Sequence, residues 1–289
     1  QTIVAHDKVE TYTLANGVNT IRVNSSDLDL NITGNANNDT VDVAGLTVTG
    51  TYNLAGGSDV ISALNGAHIG GATISNTGTG RYSVDIADGA TITMDVDHNN
   101  DASDITGAGG TEQVTMADAS GAAMSFNGGA GVATDTDTIT TTTDHGFVTG
   151  DAVTYRLPDS GTVPTGLTSG TVYYVVKTGA DTLKLATSYD NAVAGTVVII
   201  TGAGATNGHV LSKTVVAHDN VETYVLAAGT NEIRINANDT DTNVTGGSGA
   251  DTVDVAGLTV TGTYSLAAGA NAIVAANGAA MQGATISTV

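Results

Sequence analysis

The sequence predicts an all-β chain: a β-solenoid of about 20-residue coils with a compact all-β module inserted into it. Three observations predict this. Short strand-like runs broken by Gly, Asn and Asp return at a steady beat. The chain holds 38 Gly, 2 Pro and no Trp, with aromatics at 4%. That is too little bulk for a thick sandwich core, yet Val, Ile and Leu suffice for a thin one. From about Thr134 the beat stops and aromatic residues gather.

The beat defines the coils. NTIRVN begins at Asn19, DTVDVAG at Asp39, SDVISAL at Ser58, RYSVDIADG at Arg81 and DASDITG at Asp101. A second column of runs lies between them, including LDLNITG from Leu28, TVTGTY from Thr47, ATITMDV from Ala90 and EQVTMAD from Glu112. Alternate side chains on a strand share one face. Ile21 and Val23, Val41 and Val43, and Val84 and Ile86 are therefore expected to form one inward ladder. Leu28, Leu30 and Ile32, Val48, Ile92 and Met94, and Val114 and Met116 are expected to form another. Gly and Asn supply the corners.

The expected division is a solenoid over 1–133, a module over 134–213 and a second solenoid run over 214–289. The module carries both prolines together with Phe147, Tyr155, Tyr173, Tyr174 and Tyr189. Its runs AVTYRL, TVYYVVKT, DTLKLAT and TVVIITG read as strands. The third segment copies the first. DTVDVAGLTVTGTY stands at Asp39–Tyr52 and again at Asp251–Tyr264, an offset of 212 residues. The same offset aligns Thr2–Asn24 with Thr214–Asn236 and Asn65–Ser75 with Asn277–Ser287. The chain reads as one full unit and the start of the next, hence as a window on a longer tandem array.

Charge narrows the function classes. Asp and Glu number 29 against 8 Lys and Arg, a net charge of -21. Such a surface opposes binding to nucleic acid or to an anionic membrane. It favours divalent cations, or serves solubility alone. The chain has no Cys, which removes disulfides and thiolate metal sites. No apolar run is long enough to span a bilayer, so membrane insertion is not expected.

Candidate ligands for Ca²⁺ follow from spacing. In DVDHNNDASD, Asp95, Asp97, Asn99 and Asp101 recur at every second position, with Asp104 beyond. Oxygen ligands alternating in a tight loop suit a hard cation, and a solvated acidic turn is the plainer reading. Asp27, Asp29 and Asn31, matched by Asp239, Asp241 and Asn243, repeat the alternation more weakly. His6-Asp7 and His218-Asp219 recur as a pair, but no nucleophile context accompanies them, so a structural role is expected. His145 and His209 bracket the module and are expected to cap its ends.

Two resemblances follow from these residues. GGSGADTVD, Gly246 to Asp254, resembles the calcium-binding nonapeptide of RTX β-rolls, which implies Asp251 as a Ca²⁺ ligand. In the first unit that place reads GNANNDTVD. The HGFVTGD…VTY…GLTSGTVYYVV…DTLKLATS pattern resembles a small module of very large, repetitive secreted bacterial proteins and of some phage tail proteins. The resemblance implies an extracellular bacterial surface, matrix or adhesin protein, structural and non-enzymatic, that self-associates into filaments and binds Ca²⁺, with glycans as further partners. The alternative expectation is a phage tail fibre or a glycan-binding or depolymerising β-helix.

Overall fold

The computed structural model describes residues 1–43, 45–56, 59–62, 68–75, 84–86, 91–94, 105–107, 111–157, 161–204 and 208–288. It is nearly all-β, a solenoid of stacked parallel coils at roughly 20 residues per turn. The long sheet runs through Thr11–Thr13, Asn31–Asn35, Thr47–Ala55, His68–Ser75, Thr91–Met94 and Gln113–Met116. It continues through Thr223–Val225, Asn243–Thr245, Thr263–Leu266 and Thr285–Thr288, each strand parallel to the last. A second column holds Thr2–Val4, Thr20–Arg22, Thr40–Asp42 and Val60–Ser62. In the second unit that column is Val215–Val216, Asn231–Arg234, Asp251–Asp254 and Ala272–Val274. Through Val60–Ser62 each coil of the first unit gives one strand to each column, so the sequence beat becomes the pairing register: Ile21 faces Val41, and Val41 faces Ile61. Val84–Ile86 and Ile105–Gly107 stand apart from that column, paired with each other and, through Ile86, with Ile69 of His68–Ser75.

Alternation puts the expected side chains inside, but not all on the expected ladders. Ile86 and Val48 both pair with Ile69, so Val84 and Ile86 do not continue the Ile21–Val41 ladder and Val48 does not join that of Ile32, because these residues lie on another side of the coil. Val41, Val43, Val253 and Val255 are fully buried, as are Ile86, Ile92, Met94 and Val114. Each such side chain contributes about 1.5–3 kcal/mol of apolar transfer energy. Leu28 departs from expectation at 38% exposure. The chain is still turning there, through the Asn24–Asp27 bridge, so inward alternation begins only at Leu30. The thin core also holds tyrosines: Tyr52, Tyr224 and Tyr264 are fully buried in the long sheet. They lie on two ladders: Ile32, Tyr52, Ile74 and Met94 follow one another along the first, and Val114, Tyr224, Val244 and Tyr264 along the second. Close stacking explains one glycine. A Cβ on Gly50, at φ +107°, would lie 2.1 Å from the Leu30 carbonyl oxygen, and on Gly262, the matching residue, 2.0 Å from that of Thr242.

The module is a seven-stranded antiparallel sheet. Its order is Met124–Phe126, His209–Lys213, Ala152–Arg156, Thr171–Lys177, Thr182–Ala186, Thr138–Thr140 and Val132–Ala133. The sheet therefore begins at Met124, ahead of the change in composition at Thr134. Residues 196–202 form no strand. That stretch is held instead by the Asp137 carboxylate, which accepts from the Ile200 amide at 2.7 Å, and by a bridge from Gly202 to Thr165. His145 and His209 do not cap the ends. They are core members, His209 stacked on Phe126 at 4.8 Å with Nδ1 2.8 Å from the Tyr155 hydroxyl, and His145 stacked on Phe147 at 5.3 Å.

The solenoid runs on across the insertion. Gln113–Met116 pairs directly with Thr223–Val225, Gln113 opposite Thr223 and Val114 opposite Tyr224. The chain leaves after Ser120, beneath Asn231, and returns through Val215–Val216, beneath Ile233 and Arg234. The module is thus a side excursion from one uninterrupted stack.

Candidate functional site

The corner before each second-column strand carries a buried ladder of Asn and Asp. Oδ1 of Asp39 accepts from the Asn19 amide at 3.1 Å, and the Asp39 amide donates to Oδ1 of Asp59 at 2.7 Å. In the second unit Asn231 Nδ2 donates to Asp251 Oδ1 at 2.7 Å, and the Asp251 amide donates to Asn271 Oδ1 at 3.0 Å. Ser120 extends the ladder across the insertion, donating its amide to Asn231 Oδ1 at 3.3 Å. Asp251, the residue expected to hold Ca²⁺, is therefore a fully buried ladder member. Burial pushes its carboxyl up, and the Asn231 hydrogen bond opposes this. Its Oδ2 has no hydrogen-bond partner. In the first unit Asn35 serves Asp39 Oδ2, and that place is Gly247 in the second. Asp95, Asp97, Asn99, Asp101 and Asp104 lie outside the described residues.

The inserted module is fastened to the solenoid by an ionic cluster. Arg156 donates to Glu232 Oε1 and to Asp254 Oδ2, each at 2.6 Å. Arg234 donates to the other oxygen of Asp254 at 2.6 Å and to the Ala256 carbonyl at 2.6 Å. Asp254 is fully buried and takes both guanidinium groups. Burial pushes the Glu232 carboxyl up, and the Arg156 charge opposes it. A cavity of about 260 Å³ opens beside this cluster, lined by Arg156, Leu157, Ser169, Gly170, Ala256 and Asn277 among others. Sequence reasoning missed the cluster. The available signal was Glu232, which stands where the first unit has Thr20. There the matching pair, Arg22 and Asp42, is an exposed contact of 3.7 Å.

Carboxyl groups also meet one another. At the seam the Glu112 amide donates to Glu222 Oε2 at 3.2 Å, and burial with the Glu112 side chain pushes the Glu222 carboxyl up to about 7. Asp239 is pushed up to about 7 by burial and by Asp241 beside it. Asp27 is pushed up by burial, by Asp29 and by Glu10. His218 is fully buried and held down to about 3 by desolvation, with Nδ1 2.6 Å from the Tyr224 hydroxyl. Asp219 accepts from Asn236 and Asn238. In the first unit Asp7 likewise accepts from Asn24. Among the described residues no three acidic or histidine side chains converge as a metal-ligand group. None of the helices there is long and apolar enough to cross a membrane.

Comparison of the chain with protein-family models, with curated proteins and with solved structures finds no match to any of them.

Proposed function

We propose that this chain is part of an extracellular structural rod, a stalk or matrix filament of a bacterial surface, non-enzymatic and stabilised by Ca²⁺. The observation that carries the reading is the direct pairing of Gln113–Met116 with Thr223–Val225. Because the second unit continues the stack of the first, added units lengthen one rod and need no flexible linkers. Six long-sheet strands, from Thr11–Thr13 to Gln113–Met116, precede the first strand of the next unit. At about 4.8 Å per coil a unit then adds ~29 Å of length, with a module projecting at the same interval. The secreted-adhesin resemblance, the absence of Cys and the net charge of -21 support a place outside the cell.

A protein of three tandem units, imaged by electron microscopy, is expected to form stiff rods that lengthen by ~29 Å per unit and bear side projections at that spacing. Separate beads joined by bends would contradict the reading. Labelling of intact cells by antibodies to the module tests the location, and labelling only after lysis would contradict it.

A further inference from the structure

The outward side of the long sheet carries one continuous ladder. Thr11, Asn31, Thr51, Thr73, Thr93 and Thr115 face one another in turn from strand to strand. Val225, Thr245, Ser265 and Ser287 carry the same ladder across the seam and through the second unit. All but Val225 end in a hydroxyl or an amide. Thr13 and Thr33 flank the ladder on one side, and Thr91, Gln113, Thr223 and Asn243 on the other. These residues alternate with the buried Ile32, Tyr52, Ile92 and Val114, so they point away from the core. Thr11, Asn31, Thr51, Thr73 and Thr245 are exposed, and Thr93 and Thr115 half-buried.

Charge sets this face apart. The chain bears 29 Asp and Glu and a net charge of -21, yet no residue of these outward rows is charged. The second column differs: beside its inward Ile21, Val41, Ile233 and Val253 stand Arg22, Asp42, Glu232, Arg234 and Asp254. The module docks on that column, through Arg156 to Glu232 and Asp254, and Thr245 on the long sheet stays exposed.

Neutrality and regularity together select the partner. An anionic polymer, or a second copy of this chain, is repelled by the acids around the face. A discrete sugar or peptide takes a concave site lined with aromatic side chains, whereas Tyr52, Tyr224 and Tyr264 are turned into the core. What the rows offer is a grid. Hydroxyls and methyls repeat at about 4.8 Å up the stack and at about 6.6 Å along each strand. Oxygen rows of hexagonal ice repeat on a closely similar grid. Threonine is stiff at χ1 and the stacked coils hold the strands in register, so little freedom is lost when this grid meets a lattice.

We infer that the outward face of the long sheet binds ice: hydroxyls join the lattice's hydrogen bonds while the methyls leave liquid water. The inference goes beyond the rod reading and stands without it, since a rod is stiff whether or not it adheres to ice.

The test grows ice slowly from a dilute solution of the whole chain mixed with albumin, and compares the two proteins in the ice and the liquid. The chain is expected to be enriched in the ice over albumin, and to facet single ice crystals under the microscope. Thr51→Tyr/Thr245→Tyr places a bulky ring on the ladder in each unit and is expected to fall to the albumin level with an unchanged circular dichroism spectrum. Should it fail to fold, Thr51→Lys/Thr245→Lys is expected to give the same loss. Thr40→Tyr, on the outward side of the second column, is expected to keep the enrichment. A parent chain excluded from ice like albumin would overturn the inference, as would a folded double variant enriched like the parent or an equal loss in Thr40→Tyr. Without ice enrichment, adhesion to cellulose that the double variant loses would assign the face to a neutral glycan, and concentration-dependent light scattering that it loses would assign the face to a second copy; either result overturns the inference.

Discussion

Replacing Arg156 by Ala is expected to lower the melting temperature by about 5–10 °C and to expose the module's connections to protease. Arg156 reaches from the module strand Ala152–Arg156 to two acids of the solenoid, Glu232 and Asp254. Asp254 is fully buried and Glu232 nearly so. Removing one partner of a buried pair leaves an uncompensated charge, which costs about 3–5 kcal/mol in fully buried cases. Here Arg234 still holds Asp254, and Arg156 is 20% exposed, so about 2–4 kcal/mol is the reasonable range. In a domain of this size each kcal/mol moves the melting point by roughly 2–4 °C. The loss should be partly recovered by also changing Glu232→Thr, because Thr is what the first unit carries at that place. A single Arg156→Ala variant that melts and resists protease like the parent would show that the module is held by its connections alone.

Gly107→Val is expected to act more severely, by opening the seam. A Cβ on Gly107 would stand 1.7 Å from the Asn220 carbonyl oxygen, against backbone that has no easy way to give. Gly107 belongs to the last coil before the excursion, Asn220 to the first coil after it, and the Gly107 amide donates to the Asp219 carbonyl at 3.0 Å. Valine therefore has to lift one coil off the other, breaking that bond and wetting the core around Ile105 and Val221. Overpacking of this kind costs 1–3 kcal/mol where neighbours can move, and a backbone clash lies at or above that range. The cooperative unfolding of the two solenoid runs is expected to split into two calorimetric transitions. Gly121→Ala serves as the control: its Cβ meets nothing within 4 Å, so only the cost of a positive φ, about 1–2 kcal/mol, applies. A Gly107→Val protein with one unshifted transition would contradict the seam.

Much of the fold was legible because solenoid contacts repeat at the sequence period. Val41 and Val253 could be placed inside because alternation and the 20-residue beat agree, and neither depends on distant residues. Leu28 was misplaced since alternation says nothing about where a turn ends. Glycine and small residues pointed to a thin core, yet Tyr52 and Tyr264 fill it, Tyr52 because its hydroxyl finds the Thr49 carbonyl at 2.8 Å. His209 looked like a boundary marker from its position in the chain. Its actual partners, Phe126 and Tyr155, are distant in sequence and invisible to local pattern. The Arg156 cluster was hidden for the same reason, its partners lying 76 and 98 residues away. The acids of the first coil were visible as an alternating run. What the run could not tell was that Asp27 and Asp239 are the buried members of their pairs and Asp29 and Asp241 the exposed ones.

One solenoid passes uninterrupted beneath the inserted module. The chain has no Cys, so an introduced pair can report on this without interference. Gln113 and Thr223 face each other across the seam as neighbours in a parallel ladder, and both are half-buried. Their Cα separation of about 4.8 Å falls within the roughly 4.4–6.8 Å that a disulfide requires. A Gln113→Cys/Thr223→Cys protein should form an intramolecular disulfide when oxidised in the folded state and fail to do so in denaturant. Gln113→Cys with Thr263→Cys, about 14 Å apart across three ladder steps, should stay reduced. A native 113–223 pair that remains reduced under the same oxidation would mean that the two solenoid runs do not meet.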